Sequence, residues 1–282
     1  MRVSVVQMAP GSDKTQNILQ AERLIDACVA ADRPDLVVLP EIWTCLGGDR
    51  QTKFSAAEAI PALGSDASGG AAFEFLRRMA RRHGLHVHGG SIGEHIGDKL
   101  LNTSLVFGPN GDLLGRYSKV HLFDITTPGG VGYRESDTYA PGEQVVSLEL
   151  TGRFGTLRLG LAICYDVRFS ELFYRLRRDG ADLILLPAAF TAETGAAHWE
   201  TLVRARAIET QCWLAAAATT GEHRDADGRP RLTYGHSMIV DPWGTVVSQA
   251  SSGQGWATSR IDQAATARIR ADMPIMDHRR LL

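Results

Sequence analysis

The string Asp35-Leu-Val-Val-Leu-Pro40 returns 147 residues downstream as Asp182-Leu-Ile-Leu-Leu-Pro187. Each is an apolar run without polar alternation, ended by proline, as expected of a strand covered on both faces. A second echo, 133 residues apart, pairs Ser104-Leu-Val-Phe-Gly-Pro-Asn-Gly111 with Ser237-Met-Ile-Val-Asp-Pro-Trp-Gly244. Pro109 aligns with Pro242 and Gly111 with Gly244, so each string predicts a strand that turns back into another β-rich run. Either echo alone could be a coincidence of common turn motifs. Two in the same order predict one domain made of two similar halves, each with its own sheet and covering helices. Sheet packed on sheet, with helices outside, follows from that arrangement.

The flanks follow the same grammar. Residues 2 to 8 read as a buried strand, and 15 to 32 as a helix with Ile18, Ala21, Leu24, Ile25, Cys28 and Val29 on one face, stopped by Pro34. In the second half a strand over Leu157 to Ile163 precedes a helix over 170 to 179, closed by Gly180. Neither a Gly/Ser linker nor a charge block interrupts the alternation, so a single α/β domain is expected over 1–282. The 44% hydrophobic content is enough for a sizeable core, and a net charge of −2 offers no basic field for nucleic acid. The longest apolar stretches, such as Leu183 to Phe190, fall well short of the roughly 20 residues of a membrane span. Cysteines 28, 45, 164 and 212 have neither metal-ligand spacing nor the density of a disulfide scaffold, which points to a reducing cytoplasm.

Three residues stand where chemistry is commonly placed. Cys164 follows the apolar strand and precedes a helix, a turn that exposes a nucleophile and frees backbone N–H groups for an oxyanion; the competing account is a buried cysteine that fills space. Glu41 comes directly after a strand and a proline, where a carboxylate can serve as a base or merely cap a helix. Lys119 is one of four lysines against twenty-six arginines, kept inside the β-rich run 116 to 123. That retention suggests a need for a compact ammonium donor, the alternative being an exposed strand lysine. Cys45 follows Glu41 closely enough to line the same cleft. His86 and His88 share a strand face, but no third ligand with suitable spacing follows, so no metal is expected. The glycines of Pro128-Gly-Gly-Val-Gly132 open a loop rather than a helix after a strand, which removes the basis for a nucleotide cofactor. That loop and Gly47-Gly48 are candidates for a cover over the site.

With their flanks, these residues resemble the nitrilase, or carbon-nitrogen hydrolase, superfamily. The strings are LPEIW (39 to 43), YSKVHLFD (117 to 124) and GLAICYDVRFSEL (160 to 172), with PGGVGYRES (128 to 136) and PGE (141 to 143) between them. AFTAETGAAHWE (189 to 200), RARAIETQC (204 to 212) and YGHSMIVDPWGTVV (234 to 247) follow. These later strings are most similar to the deaminated glutathione amidases of the Nit branch, then to its omega-amidases. Ser170 departs from the proline that many relatives carry after Arg-Phe.

The resemblance implies a four-layer αββα sandwich with two mixed sheets. It implies that Cys164 is the nucleophile, Glu41 the general base and Lys119 the cation that stabilises the oxyanion, with the Tyr165 N–H beside it. Glu135 matches the second glutamate that positions the lysine or the attacking water. The implied reaction needs no cofactor: thiolate attack on a small linear carboxamide, a thioester, and water release of the acid after ammonia departs. The carboxylate takes and returns the proton while a neighbouring ammonium favours the thiolate. Arg168 and Thr194 would bind a substrate carboxylate, suiting α-keto acid ω-amides and deaminated glutathione, and Phe190 would wall the pocket. Arg168 has a structural alternative, a salt bridge with Glu171 or Asp166. Tyr165-Asp166 after the nucleophile, in place of Trp-Glu, sets nitriles aside as a lesser alternative. Aliphatic amidase, carbamoylase and a non-catalytic small-molecule binder are the other rivals. The tail Met273 to Arg280 is similar to the family's partner-contacting tail, which implies a homodimer or larger assembly.

Overall fold

The computed structural model describes residues 1–127, 130–225, 228 and 230–281. In chain order its first half holds β1 (Arg2–Gln7), α1 (Lys14–Asp32), β2 (Leu36–Val38), α2 (Arg50–Ala56), α3 (Ala71–His83), β3 (His86–His88), β4 (Ile92–Ile96), β5 (Lys99–Phe107) and β6 (Leu113–Ser118). A hairpin of β7 (Asp124–Thr126) and β8 (Gly132–Arg134) leads to β9 (Ser147–Gly152), β10 (Gly155–Leu161), α4 (Ser170–Arg178), β11 (Leu183–Leu185), α5 (Ala192–Thr210) and β12 (Trp213–Ala216). A second hairpin, β13 (Thr220–Arg224) and β14 (Pro230–Tyr234), precedes β15 (Met238–Val240), β16 (Val246–Gln249), β17 (Gly255–Arg260) and α6 (Gln263–Asp272).

Two mixed sheets carry the echo. One runs β17-β1-β2-β3-β5-β4, with β6 also paired to β5, and the other β16-β15-β12-β11-β10-β9. In each, three parallel strands (β1-β2-β3 and β10-β11-β12) are flanked by an antiparallel strand beyond the first and an antiparallel hairpin beyond the third. That hairpin is β5-β6 in one half and β15-β16 in the other, and both carry a register shift at the echoed positions, Val106/Phe107 and Ile239/Val240. The two halves thus match over six strands each, and β4, paired to β5, is an addition to the first sheet.

Alternation within the strands explains the layers. Val37 and Val87 face α1 and α3, where they join Ile25, Phe73, Leu76 and Met79. Their neighbours Leu36 and Val38 point the other way and share one buried core with Val3, Val5, Leu159, Leu161, Leu183 and Leu185. This places the faces of the two sheets against each other with helices outside, a four-layer αββα sandwich. Local signals set the helix ends. Asp13 accepts from the N–H groups of Thr15 and Gln16 at 2.8 and 3.1 Å, and Arg33 closes α1 with φ +48° before Pro34. No helix among the described residues is long and apolar enough to cross a membrane.

Candidate active site

Glu41 stands three residues beyond Val38, the last paired residue of β2, in a turn pinned from below. The Leu39 N–H donates to His88 O (3.0 Å), the Ser91 N–H to Pro40 O (3.1 Å) and the Ile42 N–H to Ser91 Oγ (3.0 Å). Ile42 takes φ +45°, and Gly90 beneath it is obligatory, since a Cβ there would lie 1.9 Å from Pro40 O. Lys119 follows β6, not within it. Its N–H donates to Asn102 O (2.9 Å), and its carbonyl accepts from Gly142 N–H (2.7 Å). Gly142 approaches so closely that a Cβ would meet Ser118 O at 2.2 Å, which is a physical reason for the Pro-Gly-Glu string.

Cys164 opens a single 3-10 turn, Cys164–Arg168, after β10. Its N–H donates to Pro187 O (2.9 Å), and its φ of +47° is a strained value for a residue with a side chain. Asp166 holds this turn. Fully buried, its carboxylate accepts from Ile163 N–H (2.8 Å) and Tyr117 O–H (2.7 Å) on one oxygen. The other oxygen meets His121 N–H (3.1 Å) and His121 Nδ1 (2.7 Å). The turn of Cys164 is thereby tied to both sides of Lys119.

The side chains converge on one buried cluster. Lys119 Nζ donates to Glu41 Oε1 at 2.9 Å and to the two Glu135 oxygens at 2.9 and 3.1 Å. Glu135, in its own 3-10 turn after β8, also accepts from Phe123 N–H at 2.7 Å. The Asn102 amide donates to Glu41 (2.9 Å) and Glu135 (3.3 Å), bracing both carboxylates. Burial works against the Lys119 ammonium, but Glu135 and Glu41 outweigh it and hold its pKa well above the usual value. Cys164 is pushed the other way from the sequence-based expectation. Burial first, then the charge of Glu41 and a hydrogen bond to it, raise the thiol pKa well above normal, and Lys119 offsets this only in part. Burial dominates, and the one ammonium that could favour a thiolate is itself held by two carboxylates.

Glu41, Lys119, Glu135 and Cys164 open into one cavity of about 350 Å³, within the usual range for small-molecule sites. Tyr165, Phe190, Thr194 and Cys45 line it as well. Phe190 packs on Trp199, and the Thr194 hydroxyl hydrogen-bonds that of Thr191, the N-cap of α5, at 2.8 Å. Arg168 is not brought to the lining. Its guanidinium lies 5.6 Å from the Tyr165 ring centroid and 5.5 Å from that of Phe190, with Nη2 3.3 Å from His198 Nδ1. Among the described residues it pairs with neither Glu171 nor Asp166, whose oxygens are already taken. Gly47 and Gly48, read as a cover, pack against Arg224: the Gly48 N–H donates to its carbonyl at 2.9 Å. Of the other stretch, Pro128 and Gly129 lie outside the described residues. His86 and His88 are buried in β3, and no group of three or more His, Cys, Asp or Glu among the described residues is arranged to hold a metal ion.

Sequence reasoning missed Asn102, Asp166 and Tyr139, the last a buried phenol that also lines the cavity. A signal existed for Asn102, an amide within the otherwise apolar and hydroxylic strand Leu100 to Phe107.

Comparison with known proteins identifies the family. The chain is 39% identical over 279 residues to a deaminated glutathione amidase of Synechocystis sp., covering 98% of this chain and 97% of that protein. It is 37% identical over 281 residues to the omega-amidase NIT2 of Xenopus tropicalis, covering 99% and 95%. The crystal structure of Saccharomyces cerevisiae Nit3, a member of branch 10 of the nitrilase superfamily, superposes with a TM-score of 0.82 at 29% identity, covering 97% of this chain and 94% of that one. The family model for carbon-nitrogen hydrolase matches residues 2–271. This chain belongs to the carbon-nitrogen hydrolase family.

Proposed function

We propose that this amidase cleaves a small linear amide carrying an α-keto acid carboxylate, with Cys164 as nucleophile. The observation that carries the reading is the buried cluster in which Lys119 bridges Glu41 and Glu135 beside the thiol, at the floor of a cavity of about 350 Å³. In the first step Glu41 accepts the thiol proton as sulfur attacks the amide carbon, so the thiolate never accumulates. The oxyanion forms next to the Lys119 ammonium and the N–H of Tyr165, which donates to no protein acceptor among the described residues. Preorganised donors of this kind are worth about 3 kcal/mol each. Glu41 returns the proton to the departing nitrogen, which leaves as ammonia from a primary amide or as an amine from a substituted one. The acyl group stays on sulfur as a thioester. Water, deprotonated by the same carboxylate and positioned with the help of Glu135, then releases the acid and restores the thiol.

Phe190 and Thr194 contact the acyl portion in this reading, and Arg168 supports Tyr165 and Phe190 from behind. The names of the relatives favour deaminated glutathione and ω-amides of α-keto acids. The test is product formation from deaminated glutathione, α-ketoglutaramate, an aliphatic amide, an N-carbamoyl amino acid and a nitrile, run beside Cys164→Ala. Turnover of a keto-acid amide that disappears in Cys164→Ala is the expected result. Equal turnover by that variant overturns the mechanism, and turnover confined to the last three compounds overturns the substrate class.

Three coarser features belong to the same proposal. A single domain over 1–282 is supported by the family match and by the core shared between the sheets. A homodimer or larger assembly is supported by apolar side chains left exposed on the second half, Ile208, Trp243 and Met273 among them. A reducing, cytoplasmic location is supported by four cysteines that are all free thiols.

A further inference from the structure

The charged residues of the cavity fall into two groups. At the floor, Lys119, Glu41 and Glu135 bind one another. Around the rim stand Lys53, Arg134 and Arg231 with one carboxylate, Asp225. Three elements distant in sequence supply these cations: Lys53 sits in the last turn of α2, Arg134 ends β8, and Arg231 lies on β14. Among the described residues, a chain with a net charge of −2 thus concentrates an excess of two positive charges at the mouth of its active site.

Among the described residues none of the three cations is paired with a carboxylate. Arg134 Nη1 donates to two backbone carbonyls, Tyr133 at 3.2 Å and Ile125 at 3.5 Å. The Arg231 guanidinium lies 4.9 Å from the Tyr133 ring centroid, and its Nε is shut off from solvent without an acceptor among the described residues. Lys53 is half-buried and near enough to Cys45 to oppose the rise of that thiol's pKa. Arginine forks in partly desolvated walls match carboxylate geometry, and the unmet donor gains most from an anionic ligand.

We propose that the rim selects a dianionic amide, with a carboxylate at each end of the molecule, and that Lys53, Arg134 and Arg231 bind the carboxylate remote from the scissile bond. This rests on the amidase reading above and narrows its substrate class. An ω-amide such as α-ketoglutaramate carries one carboxylate and would leave the rim partly unpaired. An α-keto acyl group joined to a dipeptide carries two and matches the excess. A neutral aliphatic amide matches nothing at the rim.

The experiment compares deaminated glutathione with its glycinamide analogue, in which the terminal carboxylate is an uncharged amide, for the unaltered enzyme and for Arg231→Met and Lys53→Met. The expected ratio of kcat/KM, carboxylate over carboxamide, is at least tenfold for the unaltered enzyme and within threefold of one for each variant. A ratio near one in the unaltered enzyme, or a ratio that both variants keep, overturns the proposal. If the unaltered enzyme turns over neither compound, the substrate assignment has failed, and the rim is then read without turnover. Glutathione and its glycinamide are titrated as protectants of Cys164 against iodoacetamide. The carboxylate form should protect at tenfold lower concentration, and only without the substitutions; equal protection by both forms overturns the proposal.

Discussion

Glu41 accepts from Lys119 and Asn102, and its charge helps to raise the pKa of the Cys164 thiol. Glu41→Gln keeps the shape but removes both the proton acceptor and the negative charge that raises the thiol pKa. Two readouts should therefore move, turnover and the pH midpoint of the thiol. Turnover falls by about 10²- to 10⁴-fold, the usual loss when a general base is removed. The pH midpoint of Cys164 alkylation by iodoacetamide moves down, because the remaining neighbours are one ammonium and one carboxylate. A midpoint that stays or rises shows that Glu41 does not govern the thiol. Glu41 and Cys164 drew notice in the chain by their places after strands and Lys119 by its rarity within a β-rich run, and the flanks of all three, through their resemblance to the family, grouped them. Asn102 and Asp166 were not legible, since their worth comes from partners brought in by the fold: Asn102 meets Glu41 across 61 residues, and Asp166 meets Tyr117 across 49. The raised thiol pKa was hidden for the same reason, because counting a lysine and a glutamate near a cysteine omits the burial that the fold imposes.

The turn Cys164–Arg168 is an element too short to hold itself, and a positive φ at its first residue adds strain of order 1–3 kcal/mol. The buried Asp166 carboxylate supplies the restraint from outside the turn, through Tyr117 and His121 on the segment that carries Lys119. His121 is itself fixed by stacking on Phe169, with ring centroids 3.8 Å apart. Asp166→Asn should lower kcat at least tenfold with a smaller change in KM, and should cost about 3 kcal/mol of unfolding free energy as a buried hydrogen-bonded network is broken. Tyr117→Phe removes one donor from the same carboxylate and should cost about 1–3 kcal/mol. If Asp166→Asn unfolds more easily yet keeps both kcat and the pH midpoint of Cys164 alkylation, the turn positions itself. At this scale the strands that repeat between the halves were readable, although their ends were not. The strand before the nucleophile was expected to reach Ile163 and stops at Leu161, and Lys119 falls just past β6. In both places the chain leaves the ladder to enter the site, so an apolar run continues after the pairing ends. The rim hairpins β7-β8 and β13-β14 were not foreseen, being short, half-exposed strands with little apolar patterning.

The sandwich as a whole closes its central layer over an ionisable side chain, His88. His88 pairs in register with Val38 and Val106, which belong to the core shared by the two sheets, so its ring points between them. It is fully buried, and neither ring nitrogen has a hydrogen-bond partner among the described residues. Burial pushes its pKa down to about 3, whereas the unfolded chain titrates near 6.5. Below pH 6.5 the unfolded state therefore holds a proton that the folded state refuses, and stability falls as the pH drops from about 6.5 toward 3. The slope approaches about 1.4 kcal/mol per pH unit, which amounts to roughly 2 kcal/mol between pH 7 and pH 5. His86 and His223, whose pKa values burial also lowers, steepen the same limb. His88→Leu fills a similar volume without the ionisable ring, so it should shrink the loss of stability between pH 7 and pH 5 by about 2 kcal/mol. Urea unfolding at the two pH values measures this directly. An unchanged difference would mean that His88 is protonated in the folded core, with a partner that the packing of the two sheets does not provide.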